Sequence, residues 1–337
     1  MNRTSFDEQS SRAVIFEILA QARGASVPSS VLTERLASSR QAVFKLVNSL
    51  REEGLTISSE PQKGYRLPDF SETDAMSPTL VEYLLRGNPV FHNCLYFREI
   101  GSTQTIIKKL AQQEAPQGIV AVTDSQTEGR GRRGRVWQTP PGKNLTFSVL
   151  LRPELKPGEV QLLNLAAGIA IRRAVDARYD IKTELKWPND VLAHGKKLCG
   201  ILSEAAGEPD RIYYAVTGIG LNANLEPGDF GEDIKATATS IFIETGKKTA
   251  RPALLASVLN EFASCILALD KPGGAAELIK IYRKECDTLG QNVRVIQDGL
   301  EFTGLAKDVT EQGALIVNIN GKDKIFAAAD VQHLRHA

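Results

Sequence analysis

Apolar residues in the first third of the chain recur with helical spacing and then with strand spacing. Ser11 to Ala22 places Val14, Ile15, Ile18 and Leu19 on one face of a helix. A second helix follows Pro28, with Leu32, Leu36 and Ala37 apolar. Ser38-Ser39-Arg40-Gln41 offers a capping box in which Ser38 accepts the Gln41 amide, so a third helix is predicted from about Ser39. Val43, Leu46, Val47 and Leu50 keep the i, i+3, i+4, i+7 pattern and leave Arg40, Gln41, Phe44, Lys45, Asn48 and Arg51 facing outward. Leu55-Thr56-Ile57-Ser58 and Gly64-Tyr65-Arg66-Leu67 read as two short strands joined through Glu60-Pro61-Gln62-Lys63. This is the pattern of a winged helix-turn-helix.

Pro68 to Pro78 is polar and reads as a linker. From Leu80 the order is mixed. A helix is expected near 102–114, a strand at 119–123, a strand at 144–151 and a long helix from Gly158 to Tyr179. Several strands then run to about Leu225, and helices are expected near 252–269 and 274–286. That order predicts an α/β or α+β domain with one large sheet. The last fifty residues alternate on period two in Val293–Ile296, Leu305–Lys307, Leu315–Ile319 and Lys324–Ala327. Their turns are marked by Asp298-Gly299, Gln312-Gly313 and Asn320-Gly321, predicting a small SH3-like β-barrel. The chain is therefore divided into a winged helix-turn-helix at 1–67, a linker at 68–78, a ligand-binding domain at 79–287 and the barrel at 288–337, a multidomain α+β protein.

One loop carries unusual chemistry. Gly129-Arg130-Gly131-Arg132-Arg133-Gly134-Arg135 packs four arginines among three glycines. It fits the dinucleotide fingerprint G-x-G-x-x-G, but that motif must open a helix, and Pro140-Pro141 followed by the strand-like Asn144–Leu151 leaves room for none. The arginines must themselves supply positive charge, each as a planar fork of donors matching phosphate oxygens. A solvated basic loop is the alternative.

A formal charge of +1 and a pI near 7.6 exclude a uniformly basic nucleic-acid coat, so DNA contact would be local. On the third helix, Arg40 and Lys45 could meet phosphates or guanine, Gln41 and Asn48 adenine, and Phe44 a thymine methyl, with Ser39 at the helix start and Lys63 and Arg66 in the wing. A winged helix used only for protein contacts is the other reading. Cys94, Cys199, Cys265 and Cys286 form no C-x-x-C pair and suggest reduced, buried thiols. The four histidines lack metal-ligand spacing, so no metal site is expected. No signal peptide or run of eighteen apolar residues is seen, and a cytoplasmic protein without a membrane partner is expected.

Four further stretches could converge on a ligand under the arginine loop. Ser102 and Thr103 sit at a strand-to-helix boundary, where capping alone would explain them. Lys186-Trp187-Pro188-Asn189-Asp190 suits a tight turn projecting Asn189 and Asp190. Lys196-Lys197 enters a buried strand in which Gly200 would admit a close neighbour, although either lysine could be solvated. Thr217-Gly218-Ile219-Gly220-Leu221-Asn222 carries glycines on one face, which fits something flat lying against it.

As an ordered set, Gly-Arg-Gly-Arg-Arg-Gly at 129–134, Lys-Trp-Pro-Asn-Asp at 186–190, Lys-Leu-Cys-Gly-Ile-Leu at 197–202 and Gly-Ile-Gly-Leu-Asn at 218–222 resemble the biotin protein ligases. The winged helix, with Ser39-Arg40-Gln41-Ala42-Val43 and Lys63-Gly64-Tyr65-Arg66-Leu67, resembles the class that also represses a biotin operon. The resemblance runs from about Ala13 to the C-terminus. It implies attack of the biotin carboxylate on the α-phosphate of Mg2+-bound ATP to give biotinyl-5′-AMP, then transfer to a lysine of apo biotin carboxyl carrier protein. It also implies operator DNA as a partner and a ligand-promoted homodimer.

By the same resemblance, Lys197, Arg132 and Asp190 are catalytic. Ser102, Thr103, Gln126, Gly129, Arg130, Gly131, Arg132, Lys197, Gly200, Gly218 and Gly220 would bind biotin. Arg132, Arg133, Arg135, Trp137, Asn189 and Asn222 would bind the nucleotide. Thr146 stands where the family commonly has an aromatic residue, which would loosen one wall of the biotin pocket. Two rival functions fit the same residues: a biotin-sensing regulator without catalysis, and a lipoate or octanoate ligase of related architecture.

Overall fold

In the computed structural model, which describes residues 3–334, the chain opens with α1 (Arg3–Gln21), α2 (Ser29–Arg35) and α3 (Arg40–Glu52). Strands β1 (Ser58–Glu60) and β2 (Gly64–Arg66) form an antiparallel wing. Ile15, Phe16, Leu19, Leu32, Val43, Val47 and Leu50 are buried together, so the apolar periodicity found its partners. Two local expectations shift. The cap of α3 is Ser39, whose side chain accepts from the Ala42 amide at 3.2 Å, one residue later than the predicted Ser38 box. Leu55 and Ile57 are buried ahead of the wing, and the first strand starts only at Ser58. Gly64 is required where it stands. Its φ is +104°, and a Cβ would lie 2.0 Å from the Val27 carbonyl oxygen.

The expected linker is packed. Phe70 meets Phe16 and Tyr83 at ring-centre distances of 5.4 and 5.9 Å. Met76 and Ser77 are buried, and Glu53, the residue that follows α3, accepts from Thr79 through both the Thr79 amide (3.1 Å) and hydroxyl (3.0 Å). Asp74 reaches the guanidinium of Arg251, which also donates to Asp124; both contacts are 2.7 Å. These contacts tie the winged helix to the domain that follows.

That domain runs α4 (Pro78–Leu84), β3 (Asn93–Ile100), α5 (Thr103–Gln112), β4 (Ile119–Gln126), β5 (Leu145–Leu151) and α6 (Gln161–Arg178). It continues with β6 (Thr183–Lys186), β7 (Asp190–Ala193), β8 (Lys196–Glu208), β9 (Arg211–Leu221), α7 (Ile241–Thr245), α8 (Arg251–Leu269) and α9 (Gly274–Glu285). The seven strands are ordered β3-β4-β5-β9-β8-β7-β6, with only the β3–β4 pair parallel. Helices α6 and α8 bury one face of this sheet in the main core, while α5 covers the other through Ile107 and Ala111. Helix α8 is long and apolar enough to cross a membrane, but 61% of its apolar window is buried inside the fold. All four cysteines are free and buried.

The chain ends in β10 (Asn292–Gln297), β11 (Leu300–Val309), β12 (Leu315–Ile319), β13 (Lys322–Phe326) and β14 (Asp330–His333). They form an antiparallel sheet in the order β13-β12-β11-β10-β14; among the described residues no pairing joins β13 to β14, so the small SH3-like unit is an open ladder. Its turns were legible. Asp298-Gly299 and Asn320-Gly321 both have positive φ at both positions, as a two-residue hairpin turn demands. Val293, Val295, Leu315 and Phe326 join the same buried cluster as the large sheet, so this sheet shares its core with the central domain.

Candidate functional site

Four strand pairings align one residue from each of five adjacent strands: Thr146 with Gly220, Gly220 with Gly200, Gly200 with Asp190, and Asp190 with Lys186. Directly paired residues project to one face of a sheet, so the row is a glycine floor that runs into charge. The flat object expected on this floor is, in this structure, the indole of Trp137. A Cβ on Gly220 would lie 2.3 Å from its ring, and one on Gly200 would lie 3.1 Å away. One pair further along, Gly218 makes room for Gln104, whose amide donates to the Leu202 carbonyl at 2.8 Å.

Above the row lies a cavity of about 450 Å³. At its inner end the Thr103 amide and hydroxyl both donate to Gln126 Oε1, at 2.9 and 3.1 Å, and the Thr103 hydroxyl meets that of Ser148 at 2.7 Å. Ser102 occupies the N-cap position of α5 yet makes no side-chain cap bond. Capping therefore does not explain Ser102, and its residue lines the cavity. Trp137 Nε1 and Thr146 Oγ1 are buried without a partner on the wall of the same space. Buried polar atoms normally have partners, so both point to a bound group.

At the charged end, Lys197 Nζ lies 2.6 Å from Asp190 and 5.7 Å from the centre of the Trp137 ring. The Lys197 backbone is fixed by bonds to the Thr237 carbonyl (2.7 Å) and from the Thr239 amide (2.9 Å). Asn189 donates to the Ile201 carbonyl at 2.8 Å, and Asn222 to the Thr239 carbonyl at 2.9 Å. Lys196 is exposed on the opposite side of the strand alternation.

The arginine loop joins β4 to β5 and folds over this end. Its neck is closed by Trp137 donating to the Gly129 carbonyl (3.0 Å) and Gly131 to the Arg135 carbonyl (2.7 Å). Arg132 donates to Asn189 Oδ1 (3.4 Å) and to the Ala329 carbonyl (3.1 Å), and burial pulls its guanidinium below the ordinary arginine value. Arg133 and Arg135 both pair with Asp330, at 3.3 and 2.6 Å. Among the described residues, the Arg130 guanidinium reaches only the exposed Glu128, at 3.8 Å. The loop is thus docked on the C-terminal sheet.

Ser102, Thr103, Gln126, Arg130, Gly131, Arg132, Arg135, Trp137, Asn189, Asp190, Lys197, Gly200, Gly218, Gly220 and Asn222 all line the cavity. Gly129 and Arg133 do not: Gly129 packs against the Trp137 carbonyl, and Arg133 turns toward Ile296 and Asp330. Sequence reasoning missed Gln104, Ser148, Phe230, Ile234 and Asp330, which share the same walls. Ser148 was signalled only by its two-residue offset from Thr146 on a strand. The 225–238 segment has no periodicity to read, and Asp330 arrives from another domain.

On the winged helix, Arg40, Gln41, Phe44 and Lys45 are exposed, Phe44 at 51%. Lys63 is exposed in the wing. Ser39 serves as the cap. Asn48 and Arg51 are less available than expected: Arg51 donates to Asn48 (2.9 Å), the Ile57 carbonyl (2.8 Å) and Ser59 (2.8 Å), bracing helix against wing. Arg66 donates to the Gly24 carbonyl at 2.6 Å.

Comparison with known proteins defines the class. Residues 96–222 match the biotin/lipoate A/B protein ligase family, 288–334 the biotin protein ligase C-terminal domain, and 12–66 a helix-turn-helix domain. The chain is 30% identical over 327 residues to the bifunctional ligase/repressor BirA of Bacillus subtilis, covering 95% of this chain and 98% of that one. It is 32% identical over 277 residues to the biotin–[acetyl-CoA-carboxylase] ligase of Mycobacterium tuberculosis, covering 79% of this chain and all of that one. The solved biotin protein ligase of Aquifex aeolicus, in complex with biotin and ATP, superposes with a TM-score of 0.64 at 28% identity over 72% of this chain and all of the other. The chain belongs to the biotin protein ligase family, in its bifunctional ligase/repressor form.

Proposed function

We propose that the chain activates biotin with ATP to biotinyl-5′-AMP, transfers the biotinyl group to a lysine of a biotin carboxyl carrier protein, and represses transcription through its winged helix. The row from Thr146 to Lys186 carries this reading, because it offers a flat glycine floor that ends in Asp190 and Lys186, with Lys197 paired to Asp190. The bicyclic ring would enter at Ser102, Thr103, Gln126 and Ser148, with Gly218 and Gly220 beneath it. Its carboxylate would then reach Lys197. Charge builds on the α-phosphate as the carboxylate oxygen attacks and pyrophosphate departs, and a fixed ammonium at that point stabilises the transition state. Asp190 holds Lys197 in place. Arg132 and Arg135 would cover the phosphates, and Trp137 would leave the glycine floor to stack on the adenine.

Mg2+ fits as the counter-ion carried in by ATP. Among the described residues no three His, Cys, Asp or Glu side chains gather as a metal site, and this ion commonly uses one carboxylate plus substrate phosphates. Asp190 is the carboxylate best placed to share. The edge of β8 beyond its pairing with β7, at 204–208, pairs with no other strand on that side among the described residues and would suit a two-fold sheet-edge dimer that presents two winged helices to an operator. The cytoplasm, where carrier protein and operator both reside, is the compartment this requires.

The deciding experiment incubates the protein with labelled biotin, Mg2+-ATP and apo carrier protein. Labelled carrier is expected; its absence would leave a biotin-sensing regulator. Because the matched family also includes lipoate ligases, lipoate is offered in competition, and use of lipoate with biotin ignored would overturn the choice of substrate.

A further inference from the structure

Lys186 ends β6 and occupies the last place in the row, cross-strand from Asp190. The Asp190 carboxylate is already engaged with Lys197 at 2.6 Å. Of the cations on the cavity wall, Arg130 has Glu128, Arg135 has Asp330, Lys197 has Asp190, and Arg132 has the Ala329 carbonyl. Lys186 lines the same cavity and is half-buried, yet among the described residues no carboxylate lies within 4.0 Å of its ammonium and no hydrogen bond reaches it. Burial pulls its pKa below the ordinary lysine value, with Asp190 pulling the other way. A partly desolvated charge without an anion is costly, and strand pairing at this position uses only backbone atoms. Asp190 and Asp287 attract the ammonium only from beyond contact distance, so among the described residues no direct contact accounts for a lysine here.

The row also fixes what Lys186 faces. Lys197 Nζ would lie 3.2 Å from a Cβ on Gly200, so the reacting α-phosphate belongs above Gly200. Lys186 stands two strands farther along the same face, roughly 10 Å at the usual inter-strand spacing. That offset, less the reach of a lysine side chain, corresponds to the β- and γ-phosphates. We propose that Lys186 is a further catalytic residue, whose ammonium binds the pyrophosphate leaving group during adenylate formation. As the carboxylate oxygen bonds to the α-phosphorus, the α-phosphorus–oxygen bond to the β-phosphate breaks and its electron pair stays on pyrophosphate. Lys186 donates hydrogen bonds to that growing charge and keeps its proton. The second half-reaction, in which AMP leaves, does not involve it.

This inference rests on the ligase reading, and the test separates the two. Full-length parent, Lys186→Met and Lys186→Arg are assayed for adenylate formation, for inhibition by inorganic pyrophosphate, and for biotin transfer from preformed biotinyl-AMP to apo carrier. Lys186→Met is expected to slow adenylation about 100-fold and to weaken pyrophosphate inhibition about tenfold, with transfer kept within about twofold; Lys186→Arg should recover part of the loss. Equal losses in both half-reactions, or unchanged pyrophosphate inhibition, would overturn the role. The parent chain supplies a check that needs no variant: saturating pyrophosphate should shield Lys186 from an acetylating reagent, as read by mass spectrometry, and undiminished acetylation would also overturn it. A parent that forms no adenylate at all would instead refute the ligase reading.

Discussion

Arg135 of the arginine loop and Asp330 of β14 stand 2.6 Å apart, and Arg133 shares the same carboxylate. A residue almost 200 positions away in sequence therefore holds the cationic loop over the cavity. An exposed ion pair contributes about 1 kcal/mol or less, so this latch can hold the loop and still yield to a polyphosphate. Asp330→Asn is expected to speed tryptic cleavage within 130–135 of the ligand-free protein by up to about fivefold. Cleavage at the parental rate would show that Asp330 restrains nothing.

Lys197 has a partner in Asp190 and a backbone pinned on both sides, so its amine is preorganised. Lys197→Ala should lower pyrophosphate release by roughly 100-fold to 1000-fold, the usual effect of removing one donor at a developing charge. Unchanged pyrophosphate release in a burst assay would contradict the role.

Gly220 tolerates no Cβ while Trp137 lies on it. Gly220→Ala is expected to displace the indole and to weaken biotin binding about tenfold, a typical cost for a misfilled ligand slot. Tryptophan emission reports the shift, since Trp187 is buried and anchored by a 2.9 Å bond to the Gly313 carbonyl. An unaltered spectrum with parental affinity would mean that the floor is not the ligand seat.

On the winged helix, exposure separates two kinds of arginine. Arg40→Ala and Lys45→Ala should each reduce the salt dependence of operator binding by about one counterion and leave thermal stability alone. Arg51→Ala should instead destabilise the domain by about 1–3 kcal/mol, because it leaves the Ile57 carbonyl without its donor. If the first two variants bind promoter fragments like the parent at fixed salt, the helix does not read DNA.

Glu82 sits between the winged helix and β3, accepting from Gln9 (3.0 Å) and the Cys94 amide (3.1 Å). Burial raises its pKa despite these bonds. With the folded-state value above the unfolded one, the native protein holds the extra proton. Its contribution is therefore full below the unfolded value and lost as pH rises through the folded value. Glu82→Gln should flatten the decline in stability above about pH 4.5, as read by thermal melts; a parental slope would show that another group is responsible.

Much of the fold could be read because it follows from local rules. Val43, Leu46, Val47 and Leu50 announced the third helix, and Asp298-Gly299 and Asn320-Gly321 announced their hairpins, since spacing and positive φ are properties of neighbouring residues. Where two local solutions compete, the reading slipped: Ser38 and Ser39 are the same residue type, and in the fold Ser39 is the cap while the Ser38 amide bonds back to the Thr33 carbonyl. Phe70 and Asp74 looked like solvated linker because their partners, Phe16, Tyr83 and Arg251, come from elsewhere in the chain.

By itself the sequence determined which side chains are the candidates for the chemistry: the loop arginines, Lys197, Asp190 and the unshielded glycines of β8 and β9. Only the tertiary structure decided that Thr146, Gly220, Gly200, Asp190 and Lys186 stand in one line, that Trp137 lies on the glycines, and that Asp330 holds the loop. The physical reason is register. Strand alternation says which residues share a face, but backbone hydrogen bonds between distant segments choose which residues meet, and a slip of one residue would turn the whole row away from the cavity.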